Sequence, residues 1–228
     1  LNISDSALQV AKMMRDKALK AMFKIMKAFN GKPSSVKVGV KLFETLVKPI
    51  MLYASESWGA GLFNFEKLFK VDKGKTCLYF NNPLDKLQLK WYKSILGVNR
   101  KASNIAVLAE VGKYPIAIDI ATNLVKYWLR IVNFDTSSLI YECYTDNILL
   151  LQSQNKCWLN AVKEILYATG FDQVWMDQNT PDKTHLVSDV RKKLEEIYEK
   201  QWNLDIWFDE RTNTQQGNKL RTYRTFKK

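Results

Sequence analysis

The chain has 228 residues and a formal net charge of +12, with 46% hydrophobic and 25% charged residues. This composition is typical of a globular protein with a sizeable core, and it excludes a disordered chain. No apolar run approaches the roughly 18 residues that a membrane span needs, and the first residues lack a signal-peptide pattern, so we expect an intracellular, non-secreted protein with no membrane partner.

The charge is unevenly distributed along the chain. Residues 1–134 contain 22 Lys and Arg against 9 Asp and Glu, residues 135–210 contain 7 against 14, and residues 211–228 contain 6 against none. A basic half and a basic tail indicate a polyanionic partner. The alternative interpretation is a helical protein whose lysine-rich faces are simply solvated.

The first predicted helix covers residues 6–30. Its apolar residues recur at steps of three and four and predict one buried face, formed by Ala11, Met14, Ala18, Met22, Ile25 and Phe29. Four lysines project from the opposite side and form a row that can follow a phosphate backbone, namely Lys17, Lys20, Lys24 and Lys27. A second helix over 35–47 repeats this design, with Val36, Val40, Phe43 and Val47 toward the core and Lys37 and Lys41 on the other face.

A short buried helix is predicted over residues 49–59. Pro49 fits its first turn, because proline lacks an N–H and fixes φ. Gly59 is expected to end it in the left-handed conformation. Helical spacing assigns a buried structural role to Ile50, Tyr53, Ala54 and Trp58.

The segment from 60 to 82 is a loop-rich connector, in which residues 76–80 form either a short strand or a packed loop. The helical pattern returns over residues 83–96, with Trp91 among its core positions and Gly97 beyond its end. Three lysines share the other face of this helix, namely Lys86, Lys90 and Lys93. Ser103 and Gly112 are expected to cap the next helix, and Pro115 opens a long one that carries Trp128 in its core.

The acidic segment predicts three further helices near residues 138–151, 155–169 and 184–206, in which tryptophans supply core groups. The tail over 211–228 is expected to be flexible, and its cations Lys219, Arg221 and Arg224 alternate with aromatic residues. Three widely spaced cysteines predict buried thiols in a reducing compartment, since their number is odd. With one histidine, His185, they cannot complete a zinc site, so no metal is expected.

Several of these stretches resemble one family. Residues 49–59, Pro-Ile-Met-Leu-Tyr-Ala-Ser-Glu-Ser-Trp-Gly, resemble the signature that follows the polymerase core of non-LTR (LINE-type, jockey-like) retrotransposon reverse transcriptases, with Ala54 where the family usually has Gly. Residues 87–115, with the phrases Lys-Ser-Ile-Leu-Gly-Val and Asn-Ile-Ala-Val-Leu-Ala-Glu-Val-Gly, resemble a second run of that family, in which Val111 replaces the usual Leu. The resemblance extends to residues 16–23, 40–49 and 219–228.

The resemblance implies the thumb and post-thumb C-terminal region of such an enzyme, an all-α array of about eight helices. We expect thumb-like basic helices over 1–59, a connector and basic helical region over 60–134, an acidic helical region over 135–210 and the flexible tail over 211–228. The implied partners are RNA, an RNA–DNA duplex and the upstream remainder of the parent polyprotein, in a nuclear or cytoplasmic ribonucleoprotein.

No catalytic activity is expected of the chain itself. It contains no Asp-Asp pair to hold the Mg²⁺ ions of a polymerase, and therefore no cofactor is expected here; Mg²⁺ is implied only for the missing polymerase core. The expected function is noncatalytic binding of template and primer, mainly through phosphate contacts. The alternative is a helical protein-interaction module derived from such an element.

Overall fold

Helices make up the architecture of the computed structural model, which describes residues 3–31, 33, 35–63, 71–72, 75–76, 82–153, 157–178 and 185–207. The all-α prediction is confirmed. Besides the helices, the described residues include one small antiparallel ladder, in which β1 (Val71–Asp72) pairs with β2 (Lys75–Thr76). Of the stretch predicted as a strand or loop, residues 77–80 lie outside the described residues.

The first helix, α1 (Ile3–Ala28), buries the apolar face that its spacing predicts. Ala11, Met14, Ala18 and Met22 are all buried, whereas Ile25 is half-buried. The prediction was wrong for Phe29, which is 38% exposed because α1 ends one residue earlier. Gly31, at φ +95°, takes the chain out of the helix.

The second helix is interrupted before Pro49. α2 (Val36–Leu42) continues through a π-helical turn (Phe43–Val47) into α3 (Lys48–Met51). In a regular α-helix the Pro49 ring would meet the carbonyl four residues earlier, and the wider turn relieves that clash. Phe43 and Val47 are fully buried as predicted, but Val36 is exposed because it begins the first turn of α2.

The segment 49–59 differs from its prediction in several respects. It is not one helix: α3 stops at Met51, and α4 (Ser55–Trp58) follows a turn at Ala54, whose φ is +53°. Because the chain reverses there, Tyr53 is directed outward and is 70% exposed rather than buried. Trp58 is half-buried, and its Nε1 donates to the Tyr53 carbonyl at 3.0 Å.

Gly59 is required for space and not for a left-handed turn. Its φ is −61°, within the ordinary right-handed region, and it begins a 3-10 turn (Gly59–Leu62). A Cβ at this position would lie 2.5 Å from Cγ2 of Ile120, which is fully buried. Gly59 therefore permits close packing of this turn on the central helix described below.

The next helix, α5 (Pro83–Leu96), has the predicted bounds and ends at Gly97, at φ +69°. Its N-cap is Asn82, whose side-chain oxygen accepts hydrogen bonds from the first turn. Trp91 is fully buried, and its Nε1 donates to the Gly39 carbonyl at 3.0 Å. This bond and the contact of Gly39 with Ile95 hold α2 on α5.

The central helix is α7 (Ile116–Val132), which follows α6 (Asn104–Val111). Gly112, at φ +60°, ends α6, and Pro115 precedes α7, both as predicted. Ser103 occupies the N-cap position of α6 without a side-chain hydrogen bond. Trp128 of α7 is fully buried, as predicted.

The acidic segment forms α8 (Leu139–Gln152), α9 (Trp158–Thr169), α10 (Asp172–Asp177) and α11 (Leu186–Trp207). The short helix α10 was not predicted. Trp175 is buried, whereas Trp158 and Trp202 are half-buried. The buried-thiol prediction was wrong for Cys143, which is exposed because it lies on the outer side of α8.

One hydrophobic core joins these helices. Its buried members include Ala18 of α1, Trp91 of α5, Leu124 of α7, Leu166 of α9 and Leu194 of α11. Residues from the predicted segments 1–59, 60–134 and 135–210 thus share one core. None of the helices in the described ranges has the combination of length and apolar character that a membrane span requires.

Candidate nucleic-acid interface

The four lysines predicted on α1 lie together on its exposed side. Lys17, Lys20, Lys24 and Lys27 are all exposed, opposite the buried alanines and methionines of the same helix. Within the part of the chain that the structure describes, none of the four forms an ion pair with a carboxylate. Their charges are therefore available to an external anion.

The length of this lysine row suits a nucleic-acid backbone. Lys17 and Lys27 are ten residues apart, which corresponds to about 15 Å along a helix. A strand of B-DNA carries one charge per about 3.4 Å of axis, so the row extends over about four phosphates. Asp16 is the one carboxylate among residues 6–28, and it is neutralised by Arg15 at 2.7 Å.

The structure adds an aromatic residue to this surface. Phe23 lies beside the lysine row and is 61% exposed. Lys90 of α5 places its Nζ 5.5 Å from the centre of the Phe23 ring, a cation–π distance. Lys86 is exposed one turn earlier on α5. We call these six lysines and Phe23 the α1–α5 basic surface; its lysines are Lys17, Lys20, Lys24, Lys27, Lys86 and Lys90.

The sequence analysis missed Phe23. Its position departs from the apolar spacing of α1, where Met22 already occupies the core-facing site. An aromatic residue off the core face and next to lysines was the available signal. No sequence signal indicated the contact between Phe23 and Lys90, because these residues are distant in sequence.

The remaining predicted cations occupy other places. Lys37 and Lys41 are exposed on the side of α2 opposite the buried Gly39. Lys93 is half-buried, and its Nζ donates to the Arg100 carbonyl and to Asn104 Oδ1, at 2.9 and 2.6 Å, while burial lowers its pKa. Lys93 thus holds the connection between α5 and α6. The tail cations lie outside the described residues, namely Lys219, Arg221 and Arg224.

A second cluster of charges lies between α3, α7 and α11. The carboxylate of Asp119, 10% exposed, receives Lys48 Nζ on Oδ2 and Arg191 Nη1 on Oδ1, each at 2.8 Å. Lys48 also contacts Glu44 at 3.1 Å, and Arg191 contacts Glu195 at 2.8 Å. We call these five residues the Asp119 network. Asp119 lies in the first turn of α7, where the helix dipole also favours a negative charge.

The Asp119 network lines a cavity of about 210 Å³ together with residues 112–114. Two tyrosines donate hydrogen bonds to carboxylates in this region: Tyr92 donates to Glu44 Oε1 at 3.2 Å, and Tyr114 donates to Glu199. The hydrogen bond to Glu199, more than burial, raises the pKa of Tyr114 to about 12. Lys48 and Arg191 each contact two carboxylates, so this cavity is a structural junction and a poor site for an anion.

Asp85 is a further buried carboxyl group, near the N-terminus of α5. Its Oδ2 accepts a hydrogen bond from Asn82 Nδ2 at 2.7 Å. Burial raises its pKa to about 8, although the backbone N–H groups of Ala117 and Ile116 oppose the shift. Across the described ranges no group of three or more His, Cys, Asp or Glu side chains is placed to hold a metal ion.

No family model, curated protein or solved structure matches this chain.

Proposed function

We propose that this chain binds nucleic acid through the α1–α5 basic surface, as a noncatalytic part of a reverse transcriptase of the non-LTR retrotransposon type. The observation that carries the proposal is the row of four exposed lysines on α1, which pair with no carboxylate of the described residues and beside which Lys90 of α5 contacts Phe23. Resemblance to the thumb and post-thumb region suggests RNA, or an RNA–DNA duplex, as the ligand.

The contact is made chiefly with phosphates. Lysine is a point charge on a flexible stem, so it binds phosphate without the bidentate geometry by which arginine reads a base. In the described α1 and α5 the one arginine is Arg15, which is paired with Asp16. The α1–α5 basic surface therefore binds nucleic acid with little dependence on the nucleotide sequence. The exposed Phe23 ring offers a stacking face to an unpaired base.

The salt dependence of binding tests the phosphate contacts. Fluorescence anisotropy with a labelled RNA–DNA hybrid is measured from 50 to 300 mM salt for the wild-type chain and for a triple variant with Lys20→Gln, Lys24→Gln and Lys27→Gln. Each lost phosphate contact lowers the slope of log K against log salt by about 0.7 to 0.9. The triple variant is therefore expected to bind more weakly and to have a slope smaller by about 2 to 3.

A second triple variant removes the same charge elsewhere. Lys126, Lys192 and Lys200 are exposed on α7 and α11, outside the α1–α5 basic surface. Their replacement by glutamine is expected to change the slope by less than about one. Equal slopes and equal affinities for the two triple variants would refute the proposed site, because they would show that net charge alone governs binding.

A further inference from the structure

Helix α8 has an apolar stripe on its solvent side. Leu139 is 74%, Ile140 46% and Leu150 45% exposed, and Cys143 between them is exposed as well. At 100° per residue these four positions lie within an arc of about 100°, which also contains the half-buried Asn147, and they extend for about 17 Å along the helix. We call these four residues the α8 stripe; its length matches about three turns of a partner helix.

The side of α8 next to Ile140 is firmly anchored. Tyr144 is buried, its hydroxyl accepts a hydrogen bond from Trp128 Nε1 at 3.2 Å, and it donates to Gln178. Tyr144 also packs on Tyr141, with ring centres 5.9 Å apart. Because the hydrogen bonds of Tyr144 to Trp128 and Gln178 tie α8 to other elements, the stripe is held on the outside of the molecule.

Carboxylates border the stripe along one edge. Glu142 and Asp146 are exposed, and α8 contains no lysine or arginine to neutralise them. Of the helices that pack on α8, α7 carries the exposed cations Lys126 and Arg130, and α9 adds Glu164 against one lysine. This lysine, Lys163, lies over the Tyr167 ring of its own helix at 5.5 Å.

We propose that the α8 stripe binds an amphipathic helix of a partner protein whose apolar face is bordered by lysine or arginine. Leucines of the partner would cover the stripe, and its cations would meet Glu142 and Asp146. A second copy of α8 fits poorly, because the facing helices would bring four carboxylates together without a cation. The proposal is independent of the α1–α5 basic surface, which requires a ligand of opposite charge.

Two labelled synthetic peptides test the proposal on the full chain. One is a 14-residue amphipathic helix of leucine and lysine, and the other replaces its leucines by serine at the same charge. Fluorescence anisotropy is expected to show binding of the leucine–lysine peptide alone. The variant Leu139→Ser/Leu150→Ser is expected to bind it at least about tenfold more weakly, because the apolar contact area is lost.

Two further variants separate the contribution of the bordering carboxylates from that of the apolar stripe. Glu142→Gln/Asp146→Asn is expected to weaken binding severalfold and to reduce its salt dependence, and it leaves the apolar residues in place. Leu46→Ser changes a leucine that is 50% exposed in the π-helical turn, outside the stripe, and is expected to leave binding unchanged. All the substituted side chains are exposed, so circular dichroism and melting temperature should match the wild type.

Four results would overturn the proposal. The first is failure of the leucine–lysine peptide to bind, and the second is binding of the serine–lysine peptide as tight as that of the leucine–lysine peptide. The third is binding of the leucine–lysine peptide by the Leu139→Ser/Leu150→Ser variant as tight as by the wild type. The fourth is a wild-type dimer, seen in analytical ultracentrifugation, that this variant converts to a monomer. The last result would identify a second copy of the chain as the occupant of the stripe.

Discussion

Replacing Asp119 by asparagine should destabilise the whole fold, because Asp119 is the centre of the charge network between α3, α7 and α11. Asparagine has nearly the same shape but no charge, and its amide nitrogen is a donor that must face Lys48 or Arg191. Removal of one partner from a buried ion pair typically costs about 3–5 kcal/mol.

The contacts around Asp119 reduce this figure. Lys48 keeps Glu44 at 3.1 Å and Arg191 keeps Glu195 at 2.8 Å, so neither cation is left without a carboxylate. The Arg191 side chain is 37% exposed, and water screens part of the lost attraction. We therefore expect Asp119→Asn to lower the free energy of unfolding by about 2–3 kcal/mol, which corresponds to about 4–12 °C in Tm for a chain of this size.

Urea denaturation followed by circular dichroism measures the difference, with differential scanning calorimetry as the second readout. The control is Glu196→Gln, which removes the contact with Lys193 at 2.9 Å between side chains that are 38% and 50% exposed. Water screens this exposed pair, so its loss is expected to change stability much less than Asp119→Asn does. A loss below about 0.5 kcal/mol for Asp119→Asn would show that the network does not hold the helices together.

Two further predictions concern buried positions. Folding raises the Asp85 pKa from 3.8 to about 8, so between these values the native state holds a proton that the unfolded state releases. Relative to Asp85→Asn, the wild type should therefore lose stability from about pH 4 to pH 8, by up to about 1.4 kcal/mol per pH unit. Denaturation at pH 5 and pH 8 measures the stability difference between the two proteins, and a pH-independent difference would contradict the assignment. Gly59→Ala should lower the free energy of unfolding by about 1–3 kcal/mol, because the alanine Cβ would lie 2.5 Å from Ile120 Cγ2. The double variant Gly59→Ala/Ile120→Leu removes that methyl group and should recover part of the loss in the same assay. An unchanged denaturation midpoint for Gly59→Ala would disprove the close packing.

Local signals were sufficient for the helices that have clear stops. The bounds of α5 follow from the apolar spacing that begins after Pro83 and from Gly97 beyond its end, because such signals act within a few residues of the chain. The buried face of α1 and the exposed lysines opposite it follow from periodicity alone. Periodicity failed over 49–59, where the reversal at Ala54 leaves Tyr53 in solvent. A left-handed alanine has no sequence signature, since glycine is the residue that usually marks such a turn.

The sequence by itself determined the all-α class, the helix ends marked by proline and glycine, and the lysine row of α1. All of these depend on neighbours within one or two turns. Only the tertiary structure decided which distant residues meet: Lys90 beside Phe23, Asp119 between Lys48 and Arg191, and Gly59 against Ile120. Such contacts depend on how whole helices pack, and the spacing of residues along one helix carries no information about the helix that faces it.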